Sequence, residues 1–162
     1  MEYALIIERW LHFTAGIFWV GMLYYFNFVQ APAITAASAD NNGPGPAAIM
    51  KYIVPRALFW FRWASVVTWL SGAALLGPDF IKAFTLQPGF VNIGLGAWLG
   101  TIMLFNVWLF IWPNQKKLLG LKTATDAQKT RARKIALLTS RINVVLSIPL
   151  LYYMGAQSHG GF

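Results

Sequence analysis

Between Leu11 and Val29 the chain carries no charged side chain, and this constrains its fold more than any other feature. A helix needs about 20 predominantly apolar residues to cross a bilayer, and three further apolar runs follow the first. The predicted spans are about 10–30, 55–77, 93–112 and 142–157. The second opens near Pro55, a favourable first-turn residue, and closes at Gly77-Pro78. The third stops at Pro113, and Arg141 flanks the fourth. Of the 162 residues 57% are hydrophobic and only 11% charged, against about 25% charged in soluble domains. The expected fold class is all-α: an integral membrane four-helix bundle, with residues 1–162 forming a single transmembrane domain.

The connectors give the orientation. Residues 31–50 are rich in Ala, Ser, Asn, Gly and Pro, and Asn42-Gly43-Pro44-Gly45-Pro46 forbids continuous helix. Residues 79–92 are amphipathic, broken by Pro88-Gly89 and too short to cross. Residues 113–141 read as a basic loop in which Lys116, Lys117, Lys122, Lys129, Arg131, Arg133 and Lys134 face one acid, Asp126. Positive loops stay inside, so this loop is expected to be cytoplasmic and both termini outside. Lys51 and Arg56 at the start of the second span agree. The net charge of +8 is then explained by orientation and anionic lipid, not by nucleic acid. Ala37-Ser38-Ala39 imitates a signal cleavage site, but no basic segment precedes the apolar run, which exceeds the usual 7–15 residues. The first span is therefore expected to be retained. Cysteine is absent, which excludes disulfides, iron–sulfur ligation and thiolate chemistry.

Only two histidines are present. His12 lies just inside the first span. The rise from Arg141 to His159 is about 27 Å at 1.5 Å per residue, close to the hydrocarbon thickness of about 30 Å. Both imidazoles are thus expected at the outer face, where two on separate helices can hold a haem iron axially. A closed zinc site needs two more ligands. Copper with Met154 is a further alternative, and so is a pair of solvated interfacial histidines.

Arg62 stands inside a span, where arginine is costly and faces a partner, a cavity or the headgroups. Snorkelling or structural pairing is the favoured reading, an anionic ligand the alternative. Asn27, Asn106 and Asn143 place amides in three spans, suited to interhelical hydrogen bonds. Trp60, Trp63, Trp108, Trp112, Tyr152 and Tyr153 fit interfacial belts. Gly96-x-x-x-Gly100 permits close helix approach. Pro149 frees the Val145 carbonyl inside the fourth span, read here as a packing kink.

Trp10-Leu11-His12, Ala15-Gly16-Ile17 and Trp19-Val20-Gly21 resemble the first span of the membrane domain of bacterial cytochrome-c-fused urate oxidases. Trp63 with Thr68-Trp69-Leu70-Ser71-Gly72 is similar to that family's Thr-Trp-Leu-Ser-Gly segment. Asn106-Val107, Pro113-Asn114-Gln115-Lys116-Lys117, Pro149-Leu150-Leu151, Met154 and Ser158-His159 follow in the same order. Where the family has Trp-Glu-Ala-Tyr, this chain has Trp63-Ala64-Ser65-Val66 and so lacks an intramembrane acid. It also lacks the Cys-x-x-Cys-His of a c-type haem, and a short stand-alone form without the cytochrome c domain is expected. The first span is similar as well to copper-resistance membrane proteins and to a haem-binding membrane protoporphyrinogen oxidase.

The leading expectation is a multi-pass protein of the bacterial inner membrane that binds haem b through His12 and His159, passes electrons between a periplasmic carrier or oxidant and a membrane partner, and assembles with a membrane-protein partner or as a homo-oligomer. One alternative is a cofactor-free accessory subunit of a larger oxidase or respiratory complex. Another is a membrane enzyme oxidising a planar heterocycle, with Arg62, Asn106 and Asn143 as ligand or structural polar groups.

Overall fold

The computed structural model describes residues 2–158, all of whose regular structure is helical. Four rods are long and apolar enough to cross a membrane: Leu5–Ala39, Ile49–Phe84, Val91–Leu118 and Asp126–Gln157. The first comprises α1 (Glu2–Tyr24), a π turn (Tyr25–Gln30) and α2 (Ala31–Ala39). A π turn (Ile49–Ile53), α3 (Val54–Leu76), a 3₁₀ turn (Gly77–Asp79) and α4 (Phe80–Phe84) make the second. The third is α5 (Val91–Phe105), a π turn (Asn106–Ile111) and α6 (Trp112–Leu118). The fourth is the single helix α7 (Asp126–Ser158).

Each π turn has the same cause. Pro32, Pro55 and Pro113 each stand two residues beyond one. A proline ring inside a helix clashes with the carbonyl four residues back and supplies no N–H. In all three cases the residue before the proline donates five residues back: Ala31 to Phe26, Val54 to Ile49 and Trp112 to Val107. Widening the helix in front of the ring moves the obstructing carbonyl aside and lets the rod continue.

The rods therefore outrun the predicted spans. The first continues to Ala39, with Thr35 and Ser38 hydroxyls bonded back to the Ala31 and Ile34 carbonyls. Only residues 40–48 separate it from the next rod, turned by the Asp40 carboxylate accepting from the Asn42 N–H at 3.0 Å. The stretch 113–141, read from sequence as a loop, is helical at both ends, leaving only 119–125 as connector. Two signals account for this. Gly120 takes φ 75°, reversing the chain after α6. Thr125 and Gln128 then form a reciprocal capping box: the Gln128 N–H donates to Thr125 Oγ1 at 3.3 Å and the Thr125 N–H to Gln128 Oε1 at 2.9 Å.

The rods pair as two hairpins, α1 on α3 and α5 on α7, with lighter contact between the pairs. Small residues set the second seam. A Cβ on Gly96 would meet Met154 Cε at 3.0 Å and one on Gly100 would meet Leu150 Cδ1 at 3.3 Å. The Gly-x-x-x-Gly motif thus serves contact within the chain. Between α3 and α5 the Trp69 indole donates to Thr101 Oγ1 at 2.9 Å. The core, built on Trp19, Leu23, Phe61, Met103 and Val107, sits toward the end where the 40–48 and 119–125 connectors lie. Only 22–33% of each span's most apolar window is buried, so most of the apolar surface faces outward.

Candidate histidine site

His12 faces α3 across the hairpin seam, at the end of the bundle opposite the basic connectors. Its Nδ1 lies 2.8 Å from the Thr68 carbonyl oxygen and 3.3 Å from Ser71 Oγ. A carbonyl oxygen only accepts, and the Ser71 hydroxyl already donates to the Val67 carbonyl at 2.6 Å. Both neighbours of Nδ1 are therefore acceptors, and Nδ1 must carry the proton. That leaves the Nε2 lone pair unused, which is the tautomer and orientation by which histidine ligates a metal.

Space for the ring comes from Gly72. A Cβ there would stand 2.9 Å from His12 Cε1 and 3.2 Å from Nδ1, closer than ordinary packing tolerates. Thr68, Ser71 and Gly72 share one face of α3, three and four residues apart. They form a cradle of one carbonyl, one hydroxyl and one bare Cα. The flanking surface is apolar and open: Trp10 and Phe13 are 67% and 63% exposed. His159, the expected second ligand, lies outside the described residues. Among the described residues no group of three or more His, Cys, Asp or Glu side chains gathers to hold a metal ion, so a closed zinc centre has no donor set there.

The other predicted polar residues lie deeper in the bundle or toward its far end. Asn106 Nδ2 donates to Asn143 Oδ1 at 2.7 Å, and the fully buried Asn143 donates in turn to the Met103 carbonyl at 3.1 Å. Asn27 bridges the Leu23 carbonyl and Ser140 Oγ, both at 2.8 Å, and the Tyr24 hydroxyl meets Ser147 Oγ at 2.9 Å. These amides and hydroxyls fasten α5 and the first π turn to α7. Among the described residues no acid pairs with Arg62. Its guanidinium carbon lies 3.2 Å from the Trp112 ring centroid, stacked on the indole. A partly buried stack of this kind contributes about 1 kcal/mol. A separate groove of about 330 Å³, lined by Met22, Tyr25, Tyr52, Ile53, Arg56, Ala57 and Trp60, opens between the first two rods near the connector that joins them.

Sequence reasoning found His12 but not its cradle. The available signal was a Thr, Ser and Gly at helical spacing inside an otherwise bulky apolar span.

Fold and site together define a small helical bundle, apolar on its outside, with one imidazole held by its neighbour helix in a ligating tautomer. The chain belongs to the urate oxidase N-terminal family, whose family model matches residues 1–82 and 78–160. No curated protein and no solved structure matches it. The two matched stretches divide the chain where the hairpins divide. Trp19-Val20-Gly21 and Phe26-Asn27 of the first rod return at one constant offset as Trp98-Leu99-Gly100 and Phe105-Asn106 of the third. His12 has no histidine counterpart at that offset, where Val91 stands.

Proposed function

We propose that this chain is a four-span protein of the bacterial inner membrane, with both termini outside, that binds haem b through His12 and serves as an electron-transfer module. The observation that carries the reading is the Nδ1–H of His12 fixed on the Thr68 carbonyl at 2.8 Å with Nε2 left free. Orienting a ligating imidazole through its other nitrogen raises its basicity and lowers the cost of ordering it. His159 is the candidate second ligand. Bound haem would supply reversible one-electron chemistry, and the chain's own residues hold the imidazole and keep the site beside an apolar surface. The Lys and Arg residues of the 40–56 and 116–141 regions support a cytoplasmic placement for that end.

A reduced-minus-oxidised optical spectrum of the purified full chain tests this. A Soret band that is lost in His12→Ala and shifted or lost in His159→Ala is expected. A colourless protein, or a band indifferent to His12, refutes it. The second reading, an accessory subunit of a larger membrane oxidase, draws on the exposed Trp10, Phe13, Trp60 and Trp63. It expects a stoichiometric complex with no pigment in this chain.

A further inference from the structure

Arg62 carries a charge that no other described residue answers. Its Nε and Nη1 atoms are shielded from the surroundings and have no hydrogen-bond partner. Stacking on Trp112 satisfies the face of the guanidinium, whereas its N–H bonds point outward in the plane. Lys116 approaches the same indole, its Nζ 5.7 Å from the ring centroid. Two cations therefore share one aromatic ring. The indole N–H of Trp108, one turn before Trp112, is likewise buried without an acceptor.

Among the described residues no acid answers this set. Glu8 and Asp79 belong to the opposite end of the bundle, as Glu2 does by its place in the sequence, and Asp79 holds Lys82 at 2.8 Å. Asp126 lies 3.6 Å from Lys129. Asp40 receives the Asn42 N–H in the connector. What is missing is an acceptor-rich anion with several oxygens, the chemistry of a phosphate.

The surroundings choose its source. The seam between the second and third rods is bordered by apolar surface, with Trp63 against Trp108 at 5.8 Å and Trp63 and Leu109 exposed. It lies near the Lys-rich end of the rods, where Trp112 and Lys116 fit an interfacial belt. An amphipathic ligand suits this arrangement better than a free ion: a charged head at Arg62 and Lys116, and chains along Trp63 and Leu109.

We propose that the Arg62–Trp112–Lys116 seam binds the phosphate of an anionic phospholipid. Arg62 donates from the open edge of its guanidinium, a small side-chain movement bringing the unpaired Nε and Nη1 into reach, Lys116 adds the second charge, and Trp112 holds both cations in place. This does not depend on haem, and its test has a separate readout.

The full chain, stripped of lipid in mild detergent, is titrated with phosphatidylglycerol, phosphatidylcholine or inorganic phosphate, and read by native mass spectrometry and by melting temperature. Phosphatidylglycerol is expected to bind at least tenfold tighter than phosphatidylcholine and to raise the melting temperature. Arg62→Gln removes that preference, and Lys116→Gln weakens it several-fold. Arg62→Lys keeps the charge without the planar fork and retains only part of it. Should Arg62→Gln fail to fold, Arg62→Lys and Lys116→Gln decide. The double variant Lys129→Gln/Arg133→Gln removes two exposed cations of the same end and should leave the preference intact. Equal binding of the two lipids overturns the proposal, as does a preference that survives in Arg62→Gln. Equal loss in the Lys129/Arg133 control reduces the effect to general charge and also overturns it. Equal protection by inorganic phosphate overturns the lipid assignment.

Discussion

Replacing Gly72 by alanine separates the stability of the bundle from the positioning of its imidazole. The new Cβ would lie 2.9 Å from His12 Cε1 and 3.2 Å from Nδ1. A Cβ is fixed to the backbone, so the ring must yield by several tenths of an ångström. That movement breaks the 2.8 Å bond to the Thr68 carbonyl. Loss of one such hydrogen bond costs about 0.5–1.5 kcal/mol. Alanine in place of glycine inside a helix returns about 1 kcal/mol. The two nearly cancel, so melting should change by no more than a few degrees while the ring loses its orientation. Imidazole ¹⁵N NMR on cofactor-free protein is the direct assay. Wild type should show a protonated Nδ1 and an unprotonated Nε2, and Gly72→Ala should show a mixture of tautomers. Haem occupancy, where haem is bound, should fall with it. Gly21→Ala is the control, because nothing lies within 4 Å of a Cβ at that position; it should stabilise by about 1 kcal/mol and leave the tautomer alone. A Gly72→Ala protein that keeps the single Nδ1–H tautomer refutes the reasoning.

Three further outcomes follow from the packing. Asn143→Leu strands Asn106 and should cost about 1–2 kcal/mol by steric-trap unfolding, and adding Asn106→Leu should recover part of it, because the second change removes the orphaned partner. Gly96→Val pushes against Met154 and Tyr153 and should destabilise by about 1–3 kcal/mol in the same assay. Thr125→Ala removes the capping box and should cost about 1 kcal/mol, seen as faster amide exchange confined to the first turns of α7.

The four apolar runs were legible because span length and charge are properties of composition, and the structure contains four rods at those places. Their ends were not. Pro113 read as a stop and the stretch after Gln30 as a loop, yet widened turns in front of Pro32 and Pro113 let helix continue. The Thr125–Gln128 box was visible in the sequence, but the cations around it drew the reading toward loop. The amides were correctly placed in three spans, and Asn106 and Asn143 do meet. His12 could be singled out because histidine is scarce here. Its hydrogen-bond partner could not, because a backbone carbonyl leaves no mark in sequence. Arg62 was read toward the headgroups or toward a pairing partner. Its actual neighbour is an indole from another rod, a contact that only the tertiary arrangement reveals.

The proline joints also bear on how such chains can change length. A π turn is an α-helix that has taken in one extra residue while both flanks keep their faces. Losing that residue while another side chain replaces the proline restores ordinary helix without rotating either flank. Loss of a single residue is therefore tolerated at 25–30, 49–53 and 106–111 where another residue also replaces the proline beyond the turn. One residue removed elsewhere in a rod turns everything beyond it by about 100° and takes the seams out of register. Gaps that break a helix in an alignment of this family belong at these three joints.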